Sequence, residues 1–431
     1  IRYISRPEVD NSEPPKLRQK IYDFKDVARR GASMFGDGEF IFLNELGSLK
    51  SDGWDGHNKE KLWRYNQHYF DDLNSKESIA RSNWHHSLVA RWILENPPGS
   101  GSGWDPYPSS LRIVNWIKWH LLNNSLTGEA LHSLAVQVRF LRQNIEYHLL
   151  GNHLFANAKA LIFAGCFFRG DEANDWLDTG VDILLEELDE QILNDGGHFE
   201  LSPMYHALAL EDVLDLLNVL RAFAEPGLSK LDEKLASRVG PIINWLNTMS
   251  HPDGKLCLFN DCADGIAPSN KELVKYAERL GFKPPNFPHK SIEHLNHTGY
   301  VRLNNGSAVV ICDIAEVGPK YLPGHGHADT LSFECSVYCK RLIVNSGTSI
   351  YGTGPERLRQ RGTQAHSTVS LMGLDSSEVW SGFRVARRAK VRDITISESN
   401  GNLYVQACHD GYSRLHGDLL HTRTWNLTKD S

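Results

Sequence analysis

Apolar residues recur at helical spacing from about Lys16 to Leu280, and then the pattern changes to short runs rich in Val, Ile, Tyr and Thr. The first part reads as helices over 109–122, 128–149, 153–168, 174–193, 204–223 and 229–249, most of them ending near a turn signal. Helices in series imply antiparallel hairpins, which a bundle, a solenoid or a toroid would each satisfy; the lack of a fixed-period repeat disfavours the solenoid. The second part reads as strands over 299–303, 307–312, 331–337, 341–344, 367–371, 390–396, 403–408 and 419–425. Between them, Pro284, Pro285 and Pro288 around Asn286 disfavour both helix and central strand, so 281–291 reads as a linker. The expected fold class is α+β, with a helical domain at 1–281 and an antiparallel, sandwich-like β domain at 292–431. The last strand ends only a few residues before Ser431, so more β sequence is expected to follow it.

Composition narrows the functional classes. With 41% hydrophobic and 23% charged residues the chain falls among ordinary soluble globular proteins. A net charge of −7 argues against a general nucleic-acid partner. Basic residues still gather at Arg357, Arg359 and Arg361, and at Arg384, Arg387, Arg388, Lys390 and Arg392. Such clusters suit a polyanion, or a solvated face balanced by nearby acids. Seven Cys with no Cys-x-x-Cys pair disfavour a disulfide scaffold and a zinc ribbon, leaving mostly buried thiols. No apolar run is long enough to span a bilayer. The start, Ile1-Arg2-Tyr3, carries neither an initiator Met nor a signal-peptide pattern, and a processed or trimmed N-terminus is expected.

The residues with chemical potential fall in separate places. Gly324-His325-Gly326-His327-Ala328-Asp329 sets two imidazoles and a carboxylate ahead of a strand, a set suited to metal binding, to proton transfer or to a hydrogen-bonded turn. Asn152 and His153 open a helix, where Asn152 is a natural N-cap. A glycine turn at Gly196-Gly197 leads to His198, Glu200, Tyr205 and His206. A phenol such as Tyr205 can hydrogen-bond a leaving oxygen and exchange a proton with it, or simply pack at a helix start. Asn345, Tyr351 and His366 follow on the β side, and with His327 could ligate one divalent ion from separate strands or loops. Trp63, Asn66, Tyr69, Trp104, Tyr107 and Arg112 suit a sugar cleft, although core packing accounts for part of any such set. Two opposed carboxylates, which a glycosidase needs, are not convincing among Glu200, Glu211 and Asp212.

In this order, Asn152-His153, Tyr205, His325-x-His327 and His366 resemble the heparinase II/III-like polysaccharide lyases. The resemblance runs through Asn-His-Leu-Phe-Ala-Asn, Ser-Pro-Met-Tyr-His, Gly-His-Gly-His-Ala-Asp and Ala-His-Ser-Thr. It implies an incomplete (α/α) toroid joined to antiparallel β-sheets, and β-elimination on an anionic, uronate-containing polysaccharide. Candidate substrates are heparan sulfate, hyaluronan, chondroitin, alginate or a bacterial exopolysaccharide, and a periplasmic or secreted location is implied. By the same resemblance Asn152 would neutralise the uronate carboxylate, Tyr205 would be the general acid and His325 a base assisted by His153. His327 and His366 would match ligands of one divalent ion (zinc, calcium or manganese), with Asn345 where the family often has an Asp. Further substrate contacts are expected from Glu200, His206, Tyr351 and Arg361. The alternative is a glycan-binding or exopolysaccharide-assembly protein that keeps the lyase fold without turnover.

Overall fold

The computed structural model describes residues 9–225, 227–283, 290–415 and 417–428. Pro284, Pro285, Asn286 and Pro288 of the expected linker, with Ile1, Arg2, Tyr3 and Ser431, lie outside the described residues. The chain is α+β, helices first and antiparallel sheets after. It divides into two compact units. One comprises Ile1–Asp189, Glu211–Ala236 and Arg279–Gly281; the other comprises Glu190–Leu210, Ser237–Glu278 and Phe282–Ser431. Residues 190–210 and 237–278, on the helical side of the expected boundary, thus group with the sheets.

In the first unit, helix Pro106–Asn123 starts with Pro at its first turn and ends at Asn124 in the left-handed region, the usual start and stop chemistry. Helix Gly128–Gln143 is capped by the Thr127 hydroxyl, which accepts from the Ala130 amide at 3.3 Å. It stops at Gln143, short of the expected 149, because the Glu146 amide donates to the buried Asn157 side chain at 2.8 Å instead. Helix Gly151–Phe167 is buried on nearly every side, and Lys159 enters a buried ionic knot. There Asp215 accepts from Lys118 at 2.9 Å and from Lys159 at 2.6 Å, while Lys159 also reaches Asp212 at 2.7 Å. Burial would raise the Asp215 carboxyl, but the two ammonium groups hold it down at about 2. The unit also holds an unforeseen three-stranded sheet, Met34–Gly36, Glu39–Phe42 and Glu45–Ser48, whose middle strand alternates exposed and buried residues.

In the second unit, Ile292–Leu295, Tyr300–Asn304, Ala308–Asp313, Phe333–Val337 and Lys340–Ile343 form an antiparallel meander in which each strand pairs with the next. Val391–Ser399, Asn402–His409 and His421–Leu427 form a three-stranded sheet. One face of the meander (Val301, Leu303, Val310, Cys312) packs with Leu403, Val405, Ala407 and Trp425, so the two sheets share a core. Its other face (Tyr300, Val309, Ile311) packs on Leu201, Trp245, Met249 and Phe259. Ala308–Asp313 is therefore buried on both faces. The expected strand at 367–371 is absent; the Ser367 hydroxyl and the Phe333 main chain bond to each other there instead. A short helix, Pro355–Arg361, interrupts the β region and carries the arginines of the first basic cluster.

Candidate active site

Three chain segments of the second unit are locked together by bonds to their backbones. The Ser202 hydroxyl donates to the Asp261 carbonyl at 2.7 Å, and the Asp261 amide donates to the His325 carbonyl at 3.1 Å. The Asn260 side chain donates to the Leu201 carbonyl at 3.0 Å and accepts from the His327 amide at 2.9 Å. Leu201 and Asn260 sit at φ 59° and 54°, sparsely populated values for residues with a Cβ. Such positions persist only where the surroundings fix them. The preceding Gly196-Gly197 turn has a steric reason: a Cβ on either residue would lie 2.3 Å from the Pro241 carbonyl oxygen or the Thr298 methyl.

The centre of this arrangement is Asp261, which the sequence reading did not single out. One carboxylate oxygen accepts from His325 Nδ1 at 2.9 Å and the other from His327 Nε2 at 2.8 Å, and Arg357 grips both oxygens. Burial alone would raise this carboxyl, but the bonds from His325, His327 and Arg357 hold it well below the usual carboxylate range. Because an ionised Asp261 only accepts, His325 carries its proton on Nδ1 and presents Nε2. Burial would depress His325 as well; the negative charges of Glu200 and Asp261 outweigh it and raise the imidazole above its ordinary value.

Tyr205 stands in the first turn of helix Pro203–Phe223, its ring 4.1 Å from that of His325 between centroids. Its hydroxyl lies 3.2 Å from that of Tyr351. Burial, with the neighbouring Tyr351 and Asp261, pushes the Tyr205 phenol well above its ordinary value, so it stays neutral and able to donate. Tyr351 stacks on Phe383 at 5.9 Å, and the Arg357 guanidinium lies 5.0 Å from the Tyr351 ring. His325 and Tyr205 are both half-buried, which leaves a neutral phenol and an imidazole side by side.

Next to this pair lies a second, fully buried cluster of His327, Asp329 and His366, whose ligand atoms fall within 4.8 Å of one another. His327 Nδ1, Asp329 Oδ2 and His366 Nε2 each lack a hydrogen-bond partner among the described residues. Buried acceptors left this way fit a cation, so the residues present suit the divalent ion that the fold family implies. The Asn345 side chain touches His366 Nδ1 at 2.7 Å through its oxygen.

Asn152 and His153 lie in the other unit. The expected capping role of Asn152 is corrected: helix Gly151–Phe167 begins before it, and the residue at the cap position is Leu150, at φ 59° and without a side-chain bond. Asn152 is thus half-buried in the first turn with no capping duty to explain it. His153 Nδ1 is 3.2 Å from Glu146, whose position is set by Asn157, and its ring lies 4.4 Å from that of Tyr107.

Several expected substrate contacts have structural duties instead. Trp63 is 1% exposed and donates to the Glu45 carbonyl; Trp104 is 3% exposed and donates to that of Asn96. Arg112 is wholly buried, bonded to Gln137 and stacked 3.8 Å from the Trp92 ring. Arg361 is buried and clamps the Gly326 carbonyl between the two histidines, so it shapes the loop and cannot meet a polyanion. His206 is buried between the His198 amide and the Ile242 carbonyl, and Glu200 is 2% exposed near His325. Tyr69 is buried against Tyr65 and Tyr107, and Asn66 bonds back to the Leu62 carbonyl. Tyr107 and Tyr351 are half-buried. In the second basic cluster Arg387 pairs with Glu378, Arg392 with Asp410, and Arg388 bonds main-chain carbonyls.

Comparison with known proteins agrees in both halves of the chain. The model of the heparinase II/III N-terminus matches residues 61–282, just over half of the chain, and that of the heparinase II/III-like C-terminal domain matches 288–431. A heparin-sulfate lyase of Bacteroides stercoris is 28% identical over 54% of this chain and 37% of its own length. FtsZ-localized protein C of Caulobacter vibrioides is also 28% identical, over 62% of this chain and 45% of its own. The chain thus spans less than half the length of these curated relatives. The crystal structure of heparinase III superposes with a TM-score of 0.68 at 20% identity, covering 89% of this chain and 65% of that one.

Proposed function

This chain belongs to the heparinase II/III family, and from that premise we propose that it is a polysaccharide lyase that cleaves a glycosaminoglycan-like uronate polymer by β-elimination. The observation that carries the reading is the half-buried pair of a neutral phenol, Tyr205, and an imidazole, His325, held at 4.1 Å with the His325 proton anchored on Asp261. In a 4-linked uronide the proton on ring carbon 5 is weakly acidic, and its removal requires the adjacent carboxylate to be neutralised so that the developing enolate is stabilised. Asn152 is proposed for that contact, with His153 assisting. His325 Nε2 takes the carbon 5 proton, the electron pair forms the bond between carbons 4 and 5, and Tyr205 protonates the departing oxygen. For the opposite epimer at carbon 5, a syn elimination through Tyr205 alone would require the phenol to lose its own proton first, which its raised value disfavours, so the division of base and acid between His325 and Tyr205 is the one proposed. No water enters the products.

His327 and His366 are proposed to hold one divalent ion. When bound there, it would fix the charge and conformation of the loop that carries His325; every proton in the scheme above is moved by side chains. Heparan sulfate is the first substrate to try, because heparin-sulfate lyases are among the relatives. One observation favours a second reading: a relative of equal identity has a name that refers to localisation and to no lyase activity. That reading is a glycan-binding protein without turnover.

The test is the ultraviolet absorbance of newly formed unsaturated uronate on heparan sulfate, hyaluronan, chondroitin and alginate. Wild type is expected to produce it on one of them, and Tyr205→Phe to lower the rate about 10²- to 10⁴-fold. Binding without absorbance on every member would favour the second reading.

A further inference from the structure

We propose that the third protein ligand of that divalent ion is Asp329, with Asn345 acting as the outer partner that orients His366. This rests on the divalent-ion reading of the cluster given above. His327 Nε2 donates to the ionised Asp261 at 2.8 Å, so its Nδ1 is a bare acceptor. The Asn345 side-chain oxygen accepts the Ser346 amide at 2.9 Å, which fixes the end of the amide that faces His366. His366 therefore donates from Nδ1 to Asn345 at 2.7 Å and bares Nε2.

Among the described residues these two nitrogens and Asp329 Oδ2 have no protein partner, on residues 0%, 8% and 3% exposed. Each of the three residues brings one ligand atom within 4.8 Å of the others; acceptors crowded in this way repel and forfeit their hydrogen bonds, whereas one cation satisfies all three. Asn345 cannot take the place of Asp329, because its oxygen already serves two donors and its remaining atom, Nδ2, is itself a donor. Its contact is the outer-shell kind, which sets the ring orientation and basicity of a ligating His; Asp261 does the same for His327. Two imidazole nitrogens with one carboxylate oxygen suit zinc, while calcium requires six to eight oxygens.

The test is calorimetric titration of chelator-treated full chain with zinc and with calcium, together with the metal content retained after gel filtration. Wild type should bind one equivalent of zinc that calcium does not displace. Asn345→Ala should keep one equivalent with affinity lowered about 10- to 100-fold, the usual effect of removing an outer-shell partner. Asp329→Asn should lose more than Asn345→Ala does. A folded Asp329→Asn protein with wild-type zinc affinity, or an Asn345→Ala protein that retains none, overturns the ligand assignment while the divalent-ion reading stands. If Asp329→Asn does not fold, the Asn345→Ala stoichiometry decides alone. Failure of wild type to bind zinc overturns both. Lyase turnover enters neither readout.

Discussion

Asp261 uses each carboxylate oxygen for a different histidine, so a single buried side chain sets the tautomer of the proposed base and of the neighbouring His327. Asp261→Asn keeps the shape but removes the charge that holds the His325 proton on Nδ1. It is expected to lower kcat about 100-fold with KM nearly unchanged, in a steady-state assay on the cleaved polysaccharide. An equal fall in wild-type and variant rates on imposing the same change in substrate length would not bear on this; a variant with wild-type kcat would remove Asp261 from the account. Tyr205, His325 and His366 were legible in the sequence because each sits in a run of polar groups beside Gly or Ser. Asp261 was not, because it follows the apolar run 256–259 with no spacing to another polar residue, and its partners come from more than sixty positions away. The only local signal is Asn260, a residue that tolerates positive φ. Trp63, Trp104 and Arg112 misled for the opposite reason: periodicity shows that a side chain lies on an apolar helix face, and an aromatic ring on that face serves a core or a sugar equally well.

Among the elements, helices Pro106–Asn123, Gly151–Phe167 and Pro203–Phe223 each supply charges to the Lys118, Lys159 and Asp215 knot. Asp215→Asn leaves two buried ammonium groups without their shared negative charge, and is expected to destabilise by about 3–5 kcal/mol in denaturant unfolding. A change below about 1 kcal/mol would mean that the knot is solvated or readily rearranged. Asp72 ties the small sheet to its surroundings by accepting from the Ser33 and Met34 amides and from Arg81 and His85. Burial would raise this carboxyl, but those bonds bring it down to about 2. Its folded value lies below the ordinary carboxylate value of about 3.9, so its contribution is present above that pH and lost as pH falls toward 2. Unfolding of wild type and Asp72→Asn at pH 6 should differ by about 2 kcal/mol more than at pH 2, and a pH-independent difference would contradict this. The small sheet itself was hidden in the sequence, since its strands are at most four residues long and helical spacing dominates the sequence around them.

For the whole chain, the order of helices before antiparallel sheets followed from the change in apolar period, and the packing of one sheet on another from the succession of short apolar runs after it. What periodicity could not supply was the grouping of 190–210 and 237–278 with the sheets, because that depends on contacts distant in sequence, such as Trp245 against Tyr300. The basic clusters also belong to this scale: Arg357, Arg361, Arg387 and Arg392 are engaged within the chain, so a net charge of −7 is not offset by a broad cationic face made of them. Recognition of the proposed polyanion would then rest on a site and less on the general field. The account as a whole depends on elimination. Its most direct test is to digest the uronate polysaccharide with wild type in ¹⁸O-labelled water and to weigh the products while following their ultraviolet absorbance. Elimination predicts absorbing fragments that contain no ¹⁸O from the cleavage, formed about 10²- to 10⁴-fold more slowly by Tyr205→Phe. Fragments that carry one ¹⁸O and do not absorb would mean hydrolysis, and would contradict the assignment of Tyr205 and His325 as the acid and base of a lyase.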